Sequence, residues 1–214
     1  MAQRTVHYIF GHILAERCGL DDVPRFLLGC LLPDAIRSKT DRDVSHYAFR
    51  GVDGSRYYDF HRFRSDFTDR FDDPLYLGYY MHLAEDNFYR AFCHRDYHLY
   101  FIREKDVRAL HRDYHLLNPY LVERYALVNR LTLPADFDAE PLSRIARFDL
   151  AGLQTDLAQD FIEHPEGEFT FLSRAMMDEF ITRYLPPVEE ELRAVLEGKA
   201  LLRAADFAWK KTDE

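Results

Sequence analysis

The sequence predicts an all-α fold, a single-domain multi-helix bundle over residues 1–214. Three observations predict it. Apolar residues recur at helical spacing along most of the chain. Capping residues and prolines punctuate that pattern at intervals suited to helices. Alternating segments bounded by tight hairpin turns are scarce. A chain of 214 residues suits one domain. Hydrophobic residues at 47% and charged residues at 30% fit a globular chain and exclude bulk disorder.

The first helix is expected from about Thr5 to Cys18, with Thr5 as N-cap and Gly19 just past its end. Ile9, Phe10, Ile13 and Leu14 supply its apolar positions. A second runs from about Asp22 to Leu32, with Pro24 in its first turn and Pro33 stopping it. Residues 33–57 read as loop, rich in Pro, Asp, Ser and Gly. So long an irregular stretch inside a compact domain points to function. A third helix covers about Tyr58 to Phe71. Asp73-Pro74 then opens a long helix to about His94. That helix is apolar on nearly every side, which belongs in the middle of a bundle. Further helices are expected at about 104–115, 119–130, 149–163, 171–185 and 187–197. Pro119 starts one of them, and Pro186-Pro187 separates the last two. Residues 134–141 and 163–168 read as loops.

The formal net charge of −9 argues against a binder of duplex nucleic acid that relies on a basic surface. A phosphate-bearing substrate remains compatible where metal ions supply positive charge. Three cysteines, Cys18, Cys30 and Cys93, lie in apolar stretches and form no CxxC, so neither a disulfide framework nor a Cys-type zinc site is expected. No run of 18 apolar residues offers a spanning helix. The stretch Val6 to Leu14 is broken by His7, Gly11 and His12, unlike a signal peptide. A cytoplasmic setting is the resulting expectation.

Chemistry-bearing residues concentrate on the long helix, in Gly78-Tyr79-Tyr80-Met81-His82-Leu83-Ala84-Glu85-Asp86. His82 and Asp86 are four apart and share one face. On a helix buried on most sides that face points inward, and a buried carboxylate is costly unless paired or bound to a metal. A plain His–Asp hydrogen bond would also satisfy it. His7 on the first helix, Asp34 after Leu31-Leu32-Pro33, and His46 in Ser45-His46-Tyr47 each have an ordinary explanation alone: a core histidine, a turn former, a loop residue. Together they offer the imidazole and carboxylate ligands that zinc and similar ions take, and bundle cores build such sites from facing helices.

In this order, an early His, Leu-Pro-Asp, Ser-His-Tyr, then Gly-Tyr-Tyr-Met-His-Leu-x-x-Asp, the chain resembles the zinc-dependent phospholipase C family, whose fold is shared with S1/P1 nucleases. The match covers about residues 5–116. The resemblance implies an all-α phospholipase C/P1 nuclease-like fold and one to three zinc ions, other divalent metals being alternatives. It implies His7, Asp34, His46, His82 and Asp86 as metal ligands, Asp86 bridging two ions and Asp34 doubling as general base. It also implies a further His–Glu helix, for which this chain has His111-x-x-x-His115. Where the family continues with another histidine this chain has Phe92, and His94 is the nearest substitute. The family's secreted members use a free amino terminus as a ligand, whereas several residues precede His7 here. His61 is a substitute ligand on this reading. Arg62 or Arg64 would hold a substrate phosphate.

The expectation is a metal-dependent phosphoester hydrolase, the substrate being a small phosphoester, a nucleotide or a lipid headgroup. Tyr47, Phe49, Tyr57 and Tyr58 would line an apolar pocket or stack a base. The alternative is a non-catalytic helical module tied together by one metal or by hydrogen bonds. An HD-type phosphohydrolase ranks last, because the adjacent His-Asp dipeptide is missing. Because imidazole ligands bind metal when deprotonated, metal content should fall below about pH 6.

Overall fold

A computed structural model describes residues 2–101 and 103–210. It is mostly helical, 65% helix and 5% strand. Eight α-helices lie among the described residues: α1 (Arg4–Cys18), α2 (Val23–Leu31), α3 (Lys39–Ser45), α4 (Phe60–Asp66), α5 (Pro74–Ala91), α6 (Glu104–Arg124), α7 (Leu150–Ile162) and α8 (Arg174–Leu196). Three short strands, β1 (Ala48–Arg50), β2 (Ser55–Tyr58) and β3 (Trp209–Lys210), form an antiparallel sheet in the order β1-β2-β3. No helix is long and apolar enough to cross a membrane among the described residues.

The helix α5 is the axis of the molecule. Every residue from Leu75 to Tyr89 is buried. Asp73 caps it by accepting from the Leu75 N–H at 3.0 Å, and Pro74 occupies its first turn, where a missing N–H is harmless. Its tightest neighbour is α2, and two glycines make the approach possible. A Cβ on Gly78 would lie 2.2 Å from the Phe26 carbonyl oxygen, and one on Gly29 would lie 2.2 Å from that of Leu75. The two backbones therefore touch where any side chain would hold them apart.

Several sequence-based expectations are corrected. Thr5 is not the N-cap. Gln3 is, and Thr5 lies inside α1 with its hydroxyl donating to Asn118 Oδ1 at 2.5 Å. Gly19 does end α1, in the left-handed conformation at φ 65°. The stretch 33–57 is not irregular throughout: it holds α3 and the β1–β2 hairpin. Tyr58 closes β2, and α4 begins only after the Asp59 cap. The Asn87 side chain on α5 draws the hairpin in, donating to the Tyr58 carbonyl at 2.8 Å and accepting from its N–H at 2.9 Å.

Pro119 does not start a helix, and Pro186-Pro187 does not separate two; α6 and α8 run through them. A proline disfavours helical geometry in the residue before it. Asn118 is held there by its side chain, which accepts from Gln3 Nε2 at 2.6 Å and donates to Asp160 at 3.0 Å. Leu185 and Val188, flanking Pro186-Pro187, are buried. Burial and tertiary hydrogen bonds outweigh the local preference at both places. The cysteines are free, as expected.

Candidate metal centre

Five of the residues singled out in the sequence converge. His7 comes from α1, Asp34 from the 3-10 turn that ends α2, His46 from the end of α3, and His82 and Asp86 from one face of α5. His7, His82 and Asp86 have fully buried side chains, His46 is 1% exposed and Asp34 11% exposed. His82 Nε2 lies 3.3 Å from His46 Nε2. His46 Nε2 lies 3.4 Å from Asp34 Oδ1 and 3.5 Å from Asp86 Oδ2. Asp86 Oδ2 is 3.7 Å from His82 Nε2, and Asp86 Oδ1 is 3.5 Å from His7 Nε2. Two overlapping ligand groups result, His46–His82–Asp86 and His7–Asp34–His82. Ligands about 2.0–2.1 Å from a tetrahedral zinc ion sit about 3.3 Å from one another. Spacings of 3.3–3.7 Å would suit donor atoms around a cation.

The opposite nitrogen of each histidine is tied to an acceptor. His82 Nδ1 meets the Cys30 carbonyl at 2.7 Å. His46 Nδ1 meets the Arg42 carbonyl at 3.0 Å. His7 Nδ1 meets Glu85 Oε2 at 2.7 Å. A carbonyl or carboxylate oxygen only accepts, so Nδ1 carries the proton and Nε2 faces the common centre. The Nε2 atoms of His46 and His82 lie 3.3 Å apart, a spacing that suits two ligands of one cation. His7 Nε2 and Asp86 Oδ2 are buried without a hydrogen-bond partner. Buried polar atoms are ordinarily satisfied, so these orphans fit a metal ligand set. Asp86 Oδ1 accepts from the Ala2 main-chain N–H at 2.6 Å.

The electrostatics call for positive charge. Asp34, Glu85 and Asp86 stand together with no lysine or arginine ion pair among the described residues. Burial opposes charge on His7, yet the Asp86 carboxylate beside it and its bond to Glu85 raise its pKa to about 10. Burial alone would raise the acids, and it lifts Glu85 to about 7. Asp34 is instead held well below the usual carboxylate range, by His46 first, and Asp86 is lowered too, with His7 and His82 among the contributors. Burial and the charge on His7 push His82 down to about 3.

Asp34 and His46 open from this buried centre into a cleft of about 570 Å³. His111 and His115 line the same cleft but stand apart from the central group, on the exposed face of α6. His111 lies over Tyr114. His115 Nδ1 pairs with Glu163 at 2.8 Å, and with Asp160 these form a separate group.

The expectations for His61, Arg64 and Arg62 are corrected. His61 Nε2 is bound to the Leu202 carbonyl at 2.8 Å, and Arg64 to the Lys199 carbonyl, so both serve to hold the C-terminal segment. The Arg62 guanidinium lies over the Tyr47 ring. None of the three lines the cleft. Among the aromatics of the hairpin, Tyr58 borders it, whereas Phe49 stacks on Tyr57 with ring centres 4.6 Å apart. His94 lines a neighbouring pocket. Sequence reasoning passed over Glu85 as the orienting partner of His7. Its signal is a second carboxylate on a helix buried all round, three residues after His82.

No family model, no curated protein and no solved structure matches the chain.

Proposed function

We propose that the chain is a metal-dependent phosphoester hydrolase, with zinc the first candidate ion, and that the resemblance to the phospholipase C/P1 nuclease group reflects a shared metal-site plan. The observation that carries this reading is the convergence of three Nε2 atoms and two carboxylates on one centre that opens to a cleft. His7, His46, His82, Asp34 and Asp86 would hold the ion or ions. A divalent cation held by these residues would polarise a phosphoryl oxygen and lower the pKa of a bound water toward ~7. Asp34 stands at the cleft side, where its carboxylate would orient the attacking water or take its proton. Glu85, Cys30 and Arg42 keep the imidazoles in register through their acceptor oxygens. Arg42 lines the cleft and its side chain makes no ion pair among the described residues, which leaves the guanidinium to orient a substrate phosphate.

Zinc titration of the metal-free protein tests the reading together with turnover of bis(p-nitrophenyl) phosphate. Tight zinc binding with zinc-dependent turnover supports it. Binding without turnover on any phosphoester would leave a structural metal module instead.

Two expected outcomes follow from the site. The His7 proton, held up to a pKa of about 10, must leave before Nε2 can take a metal. Zinc binding at pH 7.5 therefore releases about one proton. The apparent affinity rises about tenfold per pH unit and keeps rising above 6.5, where an ordinary imidazole would level off. Calorimetry in buffers of different ionisation enthalpy measures the release, and a value near zero would contradict it. The second outcome concerns His115→Ala. Because His115 stands outside the central group, this variant keeps the full central metal load by elemental analysis; loss of all metal would place His115 within the centre.

A further inference from the structure

A second pocket, about 170 Å³, opens beside the cleft. Asp43, Tyr58, Arg90 and Phe101 line both spaces, so the two are neighbours across a shared wall. The pocket carries four cations, Arg50, Arg56, Arg90 and Lys210, against the single acid Asp43. In a chain of net charge −9 this is a concentration of opposite sign. Arg50 pairs with Asp43, and Lys210 with Asp53 at 3.0 Å. Arg56 and Arg90 make no ion pair within 4 Å among the described residues, although the Asp86 carboxylate acts on Arg90 through space.

Arg90 is the centre of the argument. It sits on α5 one turn beyond Asp86, so the helix that carries the metal ligands also carries it. Its Nε is buried without a hydrogen-bond partner, as is Nδ1 of His94 in the same pocket. The Arg90 guanidinium lies 5.3 Å from the centre of the Trp209 ring, an arrangement that holds a cation without consuming its donors. The guanidinium also bonds Tyr58, and its unpartnered Nε leaves a donor that suits a phosphate oxygen. The volume is below the roughly 300 Å³ at which drug-sized ligand sites begin, so the pocket takes one substituent rather than a whole molecule. Its sign repels a quaternary ammonium.

Resting on the hydrolase reading, we propose that this pocket binds a second phosphate of the substrate, so that the phosphoester cleaved in the cleft belongs to a doubly phosphorylated molecule and not to one with a cationic headgroup. Arg90 and Arg56 bind the second phosphate, and Trp209 positions Arg90.

The test is paired binding to the full chain, read by calorimetry with and without zinc. Fructose 1,6-bisphosphate is set against fructose 6-phosphate, ADP against AMP, and vesicles of phosphatidylcholine holding phosphatidylinositol 4-phosphate against the same vesicles holding phosphatidylinositol. At least one doubly phosphorylated member should bind tenfold or more tightly than its partner, and the pair that shows this identifies a sugar, nucleotide or lipid source. Arg56→Gln, on a part-exposed strand residue, should cut that advantage severalfold, and Arg90→Met should abolish it while the circular dichroism spectrum stays native. Equal binding in all three pairs overturns the proposal, as does an advantage that survives Arg56→Gln when Arg90→Met fails to fold. The advantage read without zinc separates the two claims: its presence in a protein that never turns over a phosphoester supports the phosphate pocket against the hydrolase. Zinc-dependent turnover with equal binding in every pair does the reverse.

Discussion

Asp86→Ala is expected to remove essentially all bound zinc and all phosphoesterase activity. Asp86 is the residue whose two oxygens face both ligand groups, Oδ1 toward His7 and Oδ2 toward His46 and His82. Its removal takes a ligand from the His46–His82–Asp86 set and the neighbouring charge that draws a cation to His7. Ligand binding to the folded state alone stabilises it by about 4 kcal/mol at a thousandfold excess over Kd. Wild type should therefore show a zinc-dependent rise in melting temperature that the variant lacks. The Ala2 N–H loses its acceptor in this variant, so Asp86→Asn, which keeps an acceptor oxygen without the charge, separates metal loss from misfolding. A folded Asp86→Asn protein with full zinc content and full turnover would refute the centre.

Gly78→Ala is expected to be among the most destabilising single-methyl additions in the molecule. The new Cβ would meet the Phe26 carbonyl oxygen at 2.2 Å and the Cys30 nitrogen at 2.8 Å. Both are backbone atoms, so no side-chain rotation relieves the clash, and α2 must move away from α5. Overpacking of a filled interior costs about 1–3 kcal/mol, and a backbone clash belongs at or above the top of that range. For a chain of this size that corresponds to a fall of roughly 6–12 °C in melting temperature. The displacement also carries the Cys30 carbonyl away from His82 Nδ1, so zinc affinity should drop with stability. Thermal denaturation checks the first part and zinc titration of the folded variant the second. An unchanged melting temperature would mean that the close crossing of the two helices is not tight in solution.

Both predictions depend on contacts between elements far apart in the chain, and they mark what sequence alone reaches. Local pattern determined the helices, because apolar periodicity, the Asp73-Pro74 start and the Gly19 stop act within one or two turns. It also placed His82 and Asp86 on one face, since four residues make about one turn. The ligand types and their order were legible for His7, Asp34 and His46 as well. Their convergence was not, since it requires α1, α2 and the end of α3 to close on α5.

Only the tertiary structure decided the rest. It assigned Glu85, the Cys30 carbonyl and the Arg42 carbonyl to the three imidazoles. It carried α6 through Pro119, where bonds from Asn118 to Gln3 and Asp160 outweigh the preference of a residue before proline. It turned His61 and Arg64 toward the C-terminal segment and paired Trp209 with β2, so that residues far apart in sequence wall a second pocket. The physical reason is the same in each case. A helix closes its hydrogen bonds with residues four apart, so its signal is written locally. A buried carboxylate, an imidazole nitrogen or a strand edge finds its partner at any separation, and only the packed chain shows which partner it has.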